Sequence, residues 1–320
     1  MTNILKRMNP RELLSRSGSL GGLVLLCVVM SFLSPFFFTF NNLFNVGTQI
    51  AVIAILAFGQ TFVIVSGGID LSVGSVLGLS GIVFGWATAV AGLPLPVALL
   101  FGLGAGAAAG LTNGLLITLG NLPPFIATLA MLSAARGLAL VISNGRPLNP
   151  IPEPIRTLGG GDLFGIVPLP VILMLVMWAI TIVVLRSTYP GRCMYAIGGN
   201  EEASRLSGIN VFNQKLFIYT LSGLFAAVAG ILLTARLASS QPQAGFTFEL
   251  DAIAAVVIGG ASLAGGVGSG SGTLIGALIL GVLRNGLNLL NVSAFWQQVV
   301  IGAVIALAVM TDTLRRRRKG

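Results

Sequence analysis

Apolar residues along this chain neither alternate nor keep to one helical face. They come in runs of about 20 residues, broken by short glycine-, proline- or charge-bearing segments. Such runs occur at 20–40, 46–66, 71–91, 95–118, 124–142, 166–185, 216–237, 251–264, 271–290 and 295–311. An α-helix of about 20 residues crosses a hydrocarbon core of about 30 Å, and a helix satisfies its own backbone polar groups there. The predicted fold class is therefore all-α, a polytopic integral membrane protein with about ten transmembrane helices in a lipid bilayer. Residues 1–320 read as a single transmembrane domain, with longer connecting loops at about 143–165 and about 186–215. The first run, 20–40, exceeds the apolar core of a leader and lacks a small-residue cleavage site, so it is read as a span.

Composition supports the pattern. Only 8% of the 320 residues are charged, against roughly 25% in soluble domains. Forty-three glycines would weaken soluble helices, but they let helix backbones approach closely in lipid. The net charge of +9 is gathered beside apolar runs and not on the face of a soluble domain, which argues against a nucleic-acid partner. Thirteen of the 18 Lys and Arg precede the first run, fill the 186–215 loop or close the chain at Arg315 to Lys319. An even number of spans puts both termini on one side, and the positive-inside rule makes that side the cytoplasm. The predicted location is the cytoplasmic (inner) membrane of a bacterium, with both termini and the 186–215 loop cytoplasmic and the 143–165 loop outside. Two cysteines, Cys27 in an apolar run and Cys193 in a basic loop, do not form a disulfide framework.

The two halves echo each other. Gly114 and Gly286 each follow Asn and precede Leu, in runs 4 and 9, while Asp70-Leu71 and Glu249-Leu250 open runs 3 and 8. Both pairs are offset by five runs. An odd offset reverses direction through the membrane, so spans 2–5 and 7–10 are predicted to form an inverted repeat.

The densest local signal lies at 200–208, Asn200-Glu201-Glu202-Ala203-Ser204-Arg205-Leu206-Ser207-Gly208. Asn200 suits a helix N-cap, the two glutamates suit the positive end of the helix dipole, and Gly208 suits the stop. Leu206, Ala203 and Glu202 share one side of this short helix, and Ala203 and Ser204 are small enough for a partner to come close. The segment resembles the cytoplasmic coupling motif of ABC importer permeases, Glu-Ala-Ala followed by Gly six residues after the Glu. Glu202, Ala203 and Gly208 match it, Ser204 stands at the third position, and the apolar-Pro ending of many such permeases is absent. Ser66 to Ser75, Gly199 to Val211, Leu250 to Gly266 and Gly272 to Leu290 together look like the permease of the ribose importer and its monosaccharide relatives. That resemblance covers nearly the whole chain. It implies that a ribose-like monosaccharide is moved inward, and that the permease pairs with a second copy. It also implies a cytoplasmic ABC ATPase bound through the 200–208 segment and a periplasmic or extracellular sugar-binding protein that delivers the sugar. ATP and Mg²⁺ then belong to the ATPase, and no cofactor is expected in this chain.

The residues agree that catalysis lies elsewhere. The glycine run Gly265 to Gly272 has no Lys and so is no phosphate-binding loop. The absence of His removes Ser-His-Asp and Cys-His nucleophile systems and the usual zinc ligands. The chain is predicted to be no enzyme.

A solute path would need polar groups in the spans. Asp70, Glu249 and Asp251 sit at span starts, where two roles are open to them, capping of a free helix N-terminus or acceptance of sugar hydroxyls. Arg284, Asn288 and Asn291 recur at i, i+4 and i+7 with Asn285 adjoining, as either an interfacial stripe or a lining of the path. Arg136, inside run 5, needs an acid or helix carbonyls as partner. An ion-coupled secondary sugar transporter or a passive channel subunit is the competing reading. Its difficulty is that the acids lie at span starts, there is no His for a proton relay, and a passive pore has no use for a coupling helix.

Overall fold

The computed structural model describes the backbone of residues 10–317 and the side chains of residues 18–310. The chain runs α1 (Pro10–Leu33), α2 (Phe40–Val65), α3 (Val73–Gly85) prolonged by one π-helical turn (Trp86–Val90), α4 (Leu95–Thr118) and α5 (Pro124–Ser143). On the outer loop it forms α6 (Glu153–Gly160) and a small hairpin, β1 (Asp162–Leu163) with β2 (Val167–Pro168). Then come α7 (Leu169–Ser187), α8 (Tyr189–Gly199), α9 (Glu201–Leu206), α10 (Val211–Leu237), α11 (Phe248–Ile258), α12 (Gly270–Leu289) and α13 (Ala294–Arg317). Proline stands in the first turn of α4, α5, α6, α7 and α8, where its missing N–H costs no helical hydrogen bond.

Seven of these helices are long and apolar enough to cross a membrane: α2, α3 with its π turn, α4, α5, α7, α10 and α12. Two more, α1 and α13, carry shorter apolar stretches, Gly18–Leu33 and Ala294–Met310. The first run ends as helix at Leu33 and not at 40, because Pro35 removes a donor and turns follow. The run expected over 251–264 needs a larger correction. Its helix, α11, has 11 residues, and 259–269 is a string of turns. Gly260, Gly265 and Gly266 sit at φ of +93°, +89° and +72°, conformations that end a helix.

α2 is the centre of the bundle, burying 89% of its most apolar window against 22% for α5. The main contacts among α2–α5 and α10–α13 have counterparts when the two sets are exchanged. α4 lies along α10 as α12 lies along α2; α3 packs on α10 as α11 packs on α2; α3 meets α4 and α5 as α11 meets α12 and α13. This pairing is the one the Asp70/Glu249 and Gly114/Gly286 echoes predict. Glycine sets the closeness of the α4–α10 seam, where Gly223 lies against the Gly106 backbone and Gly110 against the Tyr219 backbone, leaving no room for a Cβ.

The connections gather at two ends of the bundle. At one, α8 meets the end of α2 and the turns before α12, α9 packs on α8 and α10, and Gly266 N donates to Val65 O at 2.8 Å. At the other, Leu148 and Ser240 form a β-bridge, and α6 packs through Gly159 on Ala235 at the end of α10.

Candidate coupling surface and solute groove

The α8–α9 corner is built from caps. Thr188 Oγ1 accepts from Gly191 N at 3.2 Å to start α8, and Asn200 Oδ1 accepts from Ala203 N at 2.9 Å to start α9. Cys193, Ile197 and Val211 form a small apolar cluster that seats α8 on the start of α10. Glu201 anchors α9 from the other side. Both of its carboxylate oxygens accept from Lys215 Nζ at 2.8 Å, and Oε1 also accepts from Arg205 Nη2 at 3.3 Å. Gly208 ends the corner at φ +87°.

This arrangement decides what α9 shows to a partner. Glu202, Ala203, Leu206 and Ser207 face outward, and Leu206 is 82% exposed, an isolated large apolar side chain on a pinned two-turn helix. Ser204 departs from the expectation that it helps a partner approach. It is 5% exposed and its hydroxyl donates to Asn200 O at 2.8 Å, because its place on the helix faces the protein and not the solvent.

The polar residues proposed for a solute path separate into three groups. Asp70 is 1% exposed: Oδ1 accepts from Ser72 N at 2.9 Å and Ser72 Oγ at 2.6 Å, and Oδ2 from Ser222 Oγ at 3.1 Å. Asn113 Nδ2 extends the network to Ser72 Oγ at 2.9 Å. Asp70 therefore holds the turn into α3 and ties it to α10, with no face open to a solute. Asn285 is likewise internal, exchanging amide hydrogen bonds of 2.8 and 2.9 Å with Asn42, so it joins α12 to the start of α2 and lines no path.

The second group is an ion pair. Arg284 Nη2 lies 2.7 Å from both carboxylate oxygens of Asp251, whose side chain is 5% exposed while that of Arg284 is 31% exposed. Glu249 lies against Gly74, close enough to Arg136 for their charges to interact. Arg136 Nη1 itself donates to Pro242 O and Ala244 O, both at 2.8 Å, which satisfies the charge inside α5. The third group is peripheral. Asn288 Oδ1 accepts from Gln297 Nε2 at 2.7 Å, and Asn291 lies beyond the end of α12 at φ +55°, so it is not on the helical stripe.

Asp251 and Arg284 open onto a groove of ≈490 Å³ completed by Phe246, Phe248, Gln297 and Gln298. Arg284 and Phe248 also border a cavity of ≈170 Å³ with Gln49 and Arg236. The sequence reading missed Phe246, Phe248 and Arg236. The aromatic pair flanking Thr247 just before a short helix was the signal available.

Residues 42–309 match the family described as branched-chain amino acid transport system / permease component. The chain belongs to this family. The permease is 48% identical to the ribose import permease protein RbsC of Escherichia coli K12, over 97% of its own length and 98% of the relative's. It is 48% identical to the RbsC of Bacillus subtilis 168 over 96% and 95% of the two chains. It is 36% identical to the xylose transport system permease protein XylH of Haemophilus influenzae Rd over 92% and 96%. No solved structure matches the permease. It is a multi-pass membrane transport component, in agreement with the resemblance drawn from Glu202, Ala203 and Gly208 and the glycine-rich segments.

Proposed function

We propose that the permease is the membrane subunit of an ABC importer that moves a ribose-like monosaccharide into the cytoplasm, driven by ATP hydrolysis in a separate subunit. The observation that carries this reading is the 48% identity, over nearly all of both chains, to ribose import permeases of two distant bacteria. The family description names amino acids, but relatives this similar are named for ribose. The permease does no catalysis of its own on this reading. ATP and Mg²⁺ are handled by the ATPase, and a periplasmic or extracellular binding protein delivers the sugar.

The geometry supports the division of labour. A rigid, capped α9 with an exposed Leu206 is suited to dock in a groove of an ATPase. Two copies of the permease would present two such helices to two ATPase domains. The clusters of Lys and Arg before the first run, in 186–215 and at the end of the chain favour a cytoplasmic side for α8, α9 and both termini in a bacterium's inner membrane. The groove bearing Asp251, Arg284, Gln297 and Gln298 then lies in the outer half, where its charges, amides and aromatic rings suit a sugar entering from outside.

Leu206→Asp tests the reading. The side chain projects into solvent, so the substitution leaves the Glu201–Lys215 pair and the fold intact while placing a charge at the contact. Co-purification of the ATPase should fall by at least about tenfold, the factor that losing one buried leucine anchor carries. Unchanged co-purification would contradict α9 as the docking helix.

A further inference from the structure

Immediately behind α9, three backbone segments meet without side chains between them. Gly198, near the end of α8, lies against Val65 O at the end of α2, and that same oxygen accepts from Gly266 N at 2.8 Å. A Cβ on Gly265 would stand 2.6 Å from Gly198 O and 2.9 Å from Gly67 Cα. Gly265 and Gly67 are both at positive φ, +89° and +83°, so glycine is required there by conformation as well as by space. One turn earlier on α8, Tyr195 Oη donates to Gly268 O at 2.8 Å, two residues before α12 begins.

The helices on the far side of this junction are fastened to each other at both ends. Thr61 and Thr273 share a hydroxyl hydrogen bond of 2.7 Å near the junction, and Asn42 and Asn285 exchange two amide bonds at the opposite end. α2 and α12 are therefore held as one body, and α12 carries Arg284, whose pair with Asp251 borders the groove. A displacement applied at Gly198 meets backbone directly, and at Gly268 it arrives through the hydroxyl of the Tyr195 ring.

We propose that Tyr195 and Gly198 are positioning residues for transport, passing the movement of α9 into the α2–α12 pair and so to the groove at its far end. The proposal rests on α9 being the ATPase contact, and it adds the route by which that contact reaches the solute. Tyr195 matters through one hydroxyl bond to the turn before α12, and Gly198 through the absence of a side chain.

The test uses the complete importer in proteoliposomes: permease, ATPase and binding protein, with radiolabelled ribose as the probe. Tyr195→Phe keeps the ring and removes the bond to Gly268. It should retain the ATPase and its ATP turnover while lowering ribose moved per ATP hydrolysed about fivefold, the factor one net hydrogen bond is worth. Gly198→Ala should lower the same ratio further. A general loss of fold would lower uptake and ATP turnover together and leave their ratio unchanged, so the ratio separates positioning from damage. Leu206→Asp serves as the contrast, losing the ATPase itself. Should Leu206→Asp keep its ATPase, the reading of α9 fails; should Tyr195→Phe keep the wild-type ratio, the proposed route fails, whatever Gly198→Ala does.

Discussion

Removing Arg284 should cost the permease more than removing Asp251, although the two form one ion pair. The asymmetry follows from burial, since the Asp251 side chain is 5% exposed and that of Arg284 31% exposed. In Arg284→Met the carboxylate keeps its burial and loses its cation, a change that costs about 3–5 kcal/mol at buried pairs. Asp251→Asn leaves a guanidinium that is one-third exposed and still hydrated, at a cost of about 1–2 kcal/mol. The double variant should be milder than the sum of the singles by about 2 kcal/mol. Unfolding in detergent micelles, followed by tryptophan fluorescence, measures all three. A larger loss for Asp251→Asn, or simple additivity, would refute the reasoning.

Two further predictions concern sidedness and nucleotide. With Cys27 and Cys193 replaced, single cysteines within 143–165 should react with an impermeant thiol reagent added to intact cells, and cysteines within 201–208 should react only after permeabilisation; the reverse pattern would overturn the orientation taken from the basic segments. Purified permease without its ATPase should neither bind nor hydrolyse ATP, since Gly265 to Gly272 lacks the phosphate-binding Lys, and saturable ATP binding to the pure chain would contradict this.

Much of the bundle was legible because its signal is local. A membrane helix needs only length and apolarity, so α2, α4, α5, α7, α10 and α12 fall where the apolar runs lie. α9 was legible for a different local reason, a capping Asn200 and a stopping Gly208 six residues beyond Glu202. α8 was not, because its 11 residues include three glycines and a proline and are too few for a span; it becomes a helix through the Thr188 cap and the burial of Cys193, Met194 and Ile197. α6 was hidden in the same way, held by the burial of Ile155 and by Gly159 against α10.

The site was harder to read because its partners are remote in sequence. Nothing near Asn285 shows that it meets Asn42, 243 residues away, and a polar stripe on a helical wheel cannot tell an internal clamp from a lining. Asp70 precedes α3, but the N-cap there is Ser72, which makes no side-chain cap bond, so Asp70 does not cap the helix; half of what it does instead, accepting from Ser72 N, is local to the turn. The other half, the bond from Ser222 on α10, exists only in the folded bundle. The echoes at Gly114 and Gly286 were slight as sequence, yet the packing of α2–α5 and α10–α13 shows the same exchange throughout.

The central claim is that this chain imports a ribose-like sugar only as part of an ATP-driven assembly. Ribose uptake into proteoliposomes, measured with the permease alone, with the ATPase added, and with ATPase, binding protein and ATP together, tests it most directly. Uptake against a gradient should appear only in the last case and stop when ATP is replaced by a non-hydrolysable analogue. Concentrative uptake by the permease alone, driven by a proton or sodium gradient, would contradict the account.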